Sequence, residues 1–460
     1  MKRFVISEHG RIWKRPDKGL TRDIPPDRVY LDSRRYGLLQ RFDRLHARGG
    51  QNIFTWYADH AKAMQWVGVI QLGRMQIEIL PKIDDQEPVI GNQWGQTRQN
   101  LLYMLSVAGD IPIRYRDIAS LTVRKAPLNE TLCAIFARHL LTELLRGAER
   151  TYITQEKNLR TFKGRLIINR HVLKNAGHRE RFYCRFDKFS DDTIINRIFK
   201  STCKILLEAT TTPATQDSLR HCLLILDDVS DEPVSDNHFD LAQFTRQNDR
   251  FLEAFNFCRL IHSGLSPTAS SGDDRTYSLL FDMNAVFERF IAAFIKQKVM
   301  KHFPGYEIFP QAKFNRRYLF QSTTGKKILQ MAPDILIRDP KGNHLVIDTK
   351  WKRLKSYNLK SQSNVSSSDL YQLYAYTHRY GCNQSILLYP RVLGVVEQDY
   401  HLLDHKDQCT DNKVALRLVN LHRNLHSKQE QSRLADELGK LIVSGVTKKN
   451  ERAAVSRGVA

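Results

Sequence analysis

The sequence lacks any run of about 18 apolar residues, so no transmembrane helix is expected. Its opening, "MKRFVISEHGRIWKRPDKGL", holds no apolar core of signal-peptide length. The seven cysteines, Cys133, Cys184, Cys203, Cys222, Cys258, Cys382 and Cys409, never form a CxxC pair. That argues against a structural zinc site and a disulfide framework, and fits buried thiols in a reducing cytoplasm. No internal repeat occurs. Acidic residues are in short supply, with 49 Asp and Glu against 71 Lys and Arg, a formal net charge of +22. Such an excess costs self-repulsion and favours a polyanionic partner, nucleic acid before a membrane surface. An apolar content of 42% is enough to build cores, and 460 residues give room for two or three domains.

Three segments follow one another by pattern. Residues 1–165 begin β-rich and turn helical. "MQWVGVIQLGRMQIEILPKI" (64–83) reads as two strands joined by a Leu-Gly-Arg turn, and the acidic "DDQEP" closes the unit. "RQNLLYMLSVAGD" carries Leu101, Leu102 and Leu105 on one side and ends in a Gly-Asp stop. "ETLCAIFARHLLTELLRGAERTY" repeats apolar residues at three-and-four spacing. Residues 166–270 read as a helical middle region, in which Ser190 or Asp191 is positioned to cap "TIINRIFKSTCKILL". "SPTASSGDD" (266–274) is turn-rich and reads as the linker to residues 271–460. Beyond it the pattern is helix, strand, strand, helix, strand, an α/β arrangement with a mixed sheet. "SQSNVSSSD" (361–369) is a serine-rich loop, and the tail after about 445 is basic and polar.

The chemistry concentrates in "MAPDILIRDPKGNHLVIDTKWK" (331–352). "DILI" and "HLVIDTK" read as two strands, with Pro340 and Gly342 where a tight turn wants them. Successive side chains on a strand alternate in face, so Val346, Asp348 and Lys350 share one face and Leu345, Ile347 and Thr349 the other. Asp334 opens the partner strand within reach of the same cluster. Converging carboxylates repel unless a cation sits between them, and a hard divalent ion such as Mg²⁺ suits their oxygens. A lysine beside that pair can orient a water and grip a phosphate oxygen, an arrangement for phosphodiester hydrolysis. A helix over 279–297 places Glu288 beside its apolar stripe of Leu280, Met283, Phe287, Phe290 and Phe294, where it can join the metal site. In "DLYQLYAYTHRYG", Gln372 and Tyr376 stand at i, i+4 and project together, to touch DNA phosphate or to position Lys350. Lys352 and Arg353, within "KWKRLK", form either a solvated edge or a phosphate grip. A lone Asp-Thr-Lys also reads as a solvated strand end or an ion pair.

Pro333-Asp334 with Asp348-Thr349-Lys350 resembles the PD-(D/E)xK nuclease core, and Gln372 with Tyr376 resembles the QxxxY helix of some branches of that superfamily. "GVIQLGRMQIEILPKI", "NLLYMLS", "FKGRLIINRHV", "CRFDKFSDDTIINRIFK", "DMNAVFERF" and "VIDTKWK", in this order, resemble the McrC family. That family is the nuclease subunit of McrBC modification-dependent restriction systems. The likeness spans roughly residues 65–395; the first 30 residues or so and the region after about 395 depart from it. It implies a PD-(D/E)xK core, a mixed sheet flanked by helices, preceded by a β-rich N-terminal lobe and a helical middle region. It also implies a Mg²⁺-dependent DNA endonuclease working in the cytoplasm with a McrB-like AAA+ GTPase hexamer. That partner recognises modified cytosine and translocates DNA, while the McrC-like chain stimulates the GTPase and cuts. The chain itself carries no GxxxxGK[ST], in agreement. Carried over by position, Asp334, Asp348 and Lys350 match the catalytic motif, with the two aspartates as metal ligands, and Glu288 matches more loosely. The family's N-terminal part, here residues 1 to about 165, contacts the GTPase ring. Two other readings stand beside this one: a non-catalytic DNA-binding adaptor that activates a motor NTPase, and a stand-alone repair-type nuclease.

Overall fold

The computed structural model describes residues 2–15, 29–45, 52–83, 94–111, 126–264, 276–313, 315–352, 354 and 365–446. The chain divides into two compact units, one of Met1–Asp110, Arg114–Leu128 and Ser266–Ala460, the other of Ile111–Ile113 and Asn129–Leu265. The units therefore do not follow the three consecutive segments 1–165, 166–270 and 271–460. The reason is strand pairing across the sequence. Thr276–Asp282 lies antiparallel to Trp66–Leu72, with Thr276 opposite Leu72 and Asp282 opposite Trp66.

In the first unit, a four-stranded sheet runs in the order Lys2–Ser7, Met75–Leu80, Trp66–Leu72, Thr276–Asp282. The hairpin expected over 64–83 forms, turning at Gly73 and Arg74. Every residue of Met75–Leu80 is buried, so both faces are covered. The buried Glu78 is served by Arg98 of the helix Trp94–Ala108, whose Nη2 donates to Oε2 at 3.0 Å. Gly68 has φ +134°, and a Cβ there would stand 1.9 Å from the Leu279 carbonyl oxygen, so only glycine lets the two strands pair. A second four-stranded sheet, in the order Val29–Leu31, Arg11–Lys14, His60–Ala63, Phe54–Trp56, shares a core with the helix Ser33–Leu45.

The same unit holds a six-stranded mixed sheet. Its order is Glu307–Pro310, Ile335–Arg338, His344–Thr349, Gln384–Pro390, Cys409–Val419, Gln398–Leu403. The first three strands are antiparallel, the third to fifth are parallel, and the last is antiparallel again. The helix Ser367–Tyr380 makes the crossover that a parallel pair requires. Its Leu373 and Tyr376 share a core with Val346, Leu387 and Tyr389. The helix Lys428–Val446 lies against Leu345, which alternates to the other face; a Cβ on its Gly445 would meet Leu345 Cδ1 at 2.6 Å. The α/β class and the mixed sheet flanked by helices are thus as expected.

Several local expectations are corrected. The helix read over 279–297 starts at Met283, because residues 279–282 finish a strand and Asp282 caps the helix, accepting from Asn284 N at 2.9 Å. The sequence reading contains no counterpart to the hairpin of Arg317–Gln321 and Lys327–Met331. The region after 395, which departs from the family's sequence pattern, nonetheless supplies Cys409–Val419, an internal strand of the six-stranded sheet. The loop 361–369 ends in helix, since Ser367–Asp369 open Ser367–Tyr380. Residues 266–274, 361–364 and the tail from 447 lie outside the described residues.

The second unit is built round helices, among them Ile194–Ala209, Pro213–Ile225 and Leu252–Ser263. Phe136 stacks on Phe257 at 5.1 Å, and Phe199 meets Phe251 at 5.6 Å. The middle region is not helical throughout. Thr151–Leu159, Phe182–Ser190 and Arg165–Leu166 form a three-stranded sheet, and of residues 166–190 only Ile168–Asn175 is helix. Thr193, not Ser190 or Asp191, caps the helix Ile194–Ala209, its Oγ1 accepting from Asn196 N at 3.3 Å. All seven cysteines are free and only Cys409 is exposed. Among the described residues, no helix is long and apolar enough to cross a membrane.

Candidate active site

Ile335–Arg338 pairs with His344–Thr349 in antiparallel register, Ile335 opposite Ile347 and Arg338 opposite His344. The turn is closed by Asp339 as well as by the expected Gly342. Asp339 Oδ1 accepts from Asn343 N at 2.7 Å, its carbonyl accepts from Gly342 N at 3.0 Å, and Gly342 takes φ +84°. Ile335, Leu336, Ile337, Leu345, Val346 and Ile347 are all buried, which anchors the hairpin and aims its far end. That end carries Asp334, Asp348, Thr349 and Lys350.

Asp348 is fully buried at 0% exposure. Lys350 Nζ stands 2.7 Å from its Oδ2 as an ion pair, and Oδ1 has no hydrogen-bond partner. Asp334 is held from the neighbouring strand end: Thr349 N and Oγ1 both donate to its Oδ2, at 2.7 and 2.8 Å. Alternation assigns Thr349 to the face away from Asp348. It is the last residue of its strand, and there it reaches the other carboxylate. Lys350 Nζ also donates to Gln372 Oε1 at 3.4 Å, and Gln372 Nε2 donates to the Tyr376 hydroxyl at 2.9 Å. The i, i+4 pair therefore braces Lys350, one of its two anticipated roles.

The electrostatics follow from this crowding. Burial, then the Asp334 carboxylate, push the Asp348 carboxyl up to about 7, with Lys350 opposing. Burial also raises Asp334, against the two Thr349 bonds and Lys350. Burial disfavours the Lys350 ammonium, but Asp348 and then Asp334 more than offset it, so its pKa lies above the ordinary lysine value.

Glu288 lies on the helix Met283–Phe294, half-buried, and accepts from Gln311 Nε2 at 3.1 Å. Burial first, then Asp334, raise its carboxyl above the ordinary glutamate value. Among the described residues, no group of three or more His, Cys, Asp and Glu side chains is close enough to hold a metal ion. Glu288 thus feels the aspartate pair without joining it as a third close ligand. Gln311 is a neighbour the sequence did not single out; its backbone N–H donates to the Asp334 carbonyl at 2.7 Å. Lys352 is exposed but paired, its Nζ 3.1 Å from Asp369 Oδ2. Arg353 lies outside the described residues.

The donor set fits a hard divalent cation. Oδ1 of the buried Asp348 lacks a hydrogen bond, and both Thr349 bonds to Asp334 fall on Oδ2. Two carboxylates with several waters are the usual surroundings of Mg²⁺.

The model of the McrBC 5-methylcytosine restriction system component family matches residues 61–390. The Type IV methyl-directed restriction enzyme EcoKMcrBC of Escherichia coli (strain K12) is 22% identical over 322 residues, covering 66% of this chain and 88% of that protein. A chain of the refined half-complex from the tetradecameric assembly of Thermococcus gammatolerans McrB AAA+ hexamers with bound McrC aligns at a TM-score of 0.65. It is 19% identical and covers 96% of this chain and 100% of its own length, a likeness of fold. The match over 61–390 takes in the hairpin of Trp66–Leu72 and Met75–Leu80 and the Asp334–Asp348–Lys350 site, and begins after the strands Lys2–Ser7, Arg11–Lys14, Val29–Leu31 and Phe54–Trp56.

Proposed function

We propose that this chain, which belongs to the McrBC 5-methylcytosine restriction system component family, is the DNA-cleaving subunit of such a complex. It is a metal-dependent endonuclease of the PD-(D/E)xK type. Asp334 and Asp348 hold the divalent cation, Mg²⁺ in the first instance. That ion supplies positive charge against the charge that develops on the phosphodiester. Lys350 orients the attacking water and holds a phosphate oxygen. Gln372 and Tyr376 keep the ammonium in place, and Thr349 fixes Asp334. Water attacks phosphorus opposite the leaving oxygen. Glu288 supports the site from the neighbouring helix through its field on Asp334 and Lys350. The basic surface expressed in the +22 charge draws in DNA through phosphate contacts, so binding weakens steeply with salt.

The observation that carries this reading is a fully buried aspartate, one oxygen ion-paired to a lysine and the other unbonded, beside a second aspartate. A merely structural ion pair would not set a second carboxylate beside Asp348, since like charges converging in a buried site cost free energy. The partner follows from the Thermococcus gammatolerans complex, in which McrC is bound by McrB AAA+ hexamers. This chain works with an equivalent AAA+ GTPase, stimulates it, and acts on cytosine-methylated DNA in the cytoplasm.

The test is cleavage of cytosine-methylated plasmid by this chain with its co-encoded GTPase, Mg²⁺ and GTP, comparing wild type with Asp348→Ala. Wild type cuts, the variant does not, and both stimulate GTP turnover. If Asp348→Ala spares every activity, the chain is an adaptor. Cutting by the isolated chain without GTPase or nucleotide would make it a stand-alone nuclease.

A further inference from the structure

Trp351 follows Lys350 directly and is 8% exposed. Its indole N–H donates to Glu8 Oε2 at 2.8 Å, across 343 residues of sequence. Its ring lies 5.3 Å from that of Phe287, the residue before Glu288. Glu8 follows the strand Lys2–Ser7, and its own N–H donates to the Leu80 carbonyl at 2.7 Å. One indole therefore joins the N-terminal sheet, the Glu288 helix and the segment that carries Lys350.

Glu8 is an expensive acceptor to bury for the indole and the Lys82 backbone N–H. It is 1% exposed, its Oε1 has no hydrogen-bond partner, and His9 Nε2 stands 3.5 Å from that oxygen. The cavity beside it, about 20 Å³ and lined by Lys82, Trp351, Lys352 and Arg391 among others, has room for a single water. The carboxylate's strongest bond is to Trp351. On the other side of the segment, Lys350 N donates to the Leu388 carbonyl at 2.9 Å. Between that bond and the clamped indole the Lys350 backbone is held, and its side chain lies toward Asp348 and Gln372.

We propose that Glu8 is a positioning residue for DNA cleavage: through Trp351 it fixes the placement of Lys350 and ties the N-terminal sheet to the catalytic segment. This rests on the nuclease reading above. A misplacement of about 1 Å at a reacting group costs on the order of a hundredfold in rate, so a lost clamp is read in turnover before it is read in folding. The clamp also gives any displacement of the strand Lys2–Ser7 a mechanical route to Lys350.

The experiment uses the assembled complex on methylated plasmid with Mg²⁺ and GTP. Glu8→Leu lowers single-turnover cleavage about tenfold, which is ~1.4 kcal/mol in barrier, while plasmid affinity and GTP turnover stay within about twofold of wild type. Glu8→Gln keeps an acceptor for the indole and recovers most of the loss. Trp351→Phe, which keeps the ring and removes the N–H, falls as far as Glu8→Leu, and the double variant falls no further. Should Glu8→Leu fail to fold, the pair Trp351→Phe and Glu8→Gln carries the same readout. Wild-type cleavage by Glu8→Leu overturns the proposal, as does an equal fall in cleavage, DNA affinity and GTP turnover. Lys350→Ala is run alongside: if it cuts like wild type, Lys350 has no part in cleavage and the proposal is overturned, whereas a complex in which wild type itself does not cut overturns the nuclease reading on which it rests.

Discussion

Replacing Asp348 by asparagine should make the metal-free protein more stable at pH 8 and abolish its response to Mg²⁺. The carboxyl is fully buried and raised from its ordinary 3.8 to about 7. A folded-state pKa above the unfolded one means that the fold favours the protonated acid. The resulting penalty is absent below about pH 4, grows as pH rises, and is complete above about 7. At ~1.4 kcal/mol per pH unit, that penalty is about 4 kcal/mol at pH 8. The neutral amide of Asp348→Asn escapes it; the value of about 7 already counts the Lys350 attraction, and burying an amide N–H without an acceptor returns about half the gain. A net gain of about 2 kcal/mol raises the thermal midpoint of a unit this large by roughly 4 °C. Mg²⁺ at a hundredfold excess over its Kd adds about 2.7 kcal/mol to wild type and nothing to the variant. The assay is thermal unfolding of both proteins at pH 8 and pH 5, with and without Mg²⁺. The advantage of Asp348→Asn shrinks toward pH 5, and Mg²⁺ reverses the ranking at pH 8. A variant less stable than wild type at pH 8, or a wild-type midpoint indifferent to Mg²⁺, refutes the reasoning.

Gln372→Leu removes both the acceptor for Lys350 and the donor to Tyr376; single-turnover cleavage falls about tenfold while the unfolding midpoint moves little, because the residue is only half-buried. An unchanged cleavage rate would sever the brace from the chemistry. Gly68→Ala drives a Cβ to 1.9 Å from the Leu279 carbonyl and demands an alanine at φ +134°. Several kcal/mol are lost as the pairing between the strands opens, and denaturant unfolding with an unshifted midpoint would contradict the register.

The local elements are legible because their signals are local. The hairpin 64–83 shows itself by apolar runs around Gly73, and the helix Trp94–Ala108 by its leucines and the Gly109-Asp110 stop, with Gly109 at φ +79°. What fails is whatever depends on distant pairing. "TYSLLFD" reads partly as helix because its leucines continue the apolar stripe of Met283–Phe294; it is strand because Trp66–Leu72 stands beside it. The central strand Cys409–Val419 escapes a local reading because its neighbours in the sheet, Gln384–Pro390 and Gln398–Leu403, reach it by opposite routes, one parallel and one antiparallel. The same long-range pairing is why the compact units cut across the order of the sequence.

At the site, the division between what can be read and what cannot has a chemical logic. Asp348 and Lys350 are two residues apart on one strand, so pleat geometry alone puts them together. Gln372 and Tyr376 are four apart on one helix, so helical geometry does the same. These groups define the reaction, and their spacing is short enough to read. The groups that hold them are Thr349, Gln311, Trp351 and Glu8. They are ordinary residue types, and only the closed fold gives them their partners. Thr349 is the instructive one. Strict alternation turns it from Asp348, and the strand end that frees it from alternation is visible only once Asp334 is seen beside it. A motif thus names the groups proposed to react, while those that hold them come from contacts that range from 15 residues apart, Thr349 to Asp334, to 343, Glu8 to Trp351. Glu8 is the extreme case, a buried acid at the start of the chain whose bonded partner adjoins the catalytic lysine. Its effect belongs in cleavage rate, not in DNA affinity.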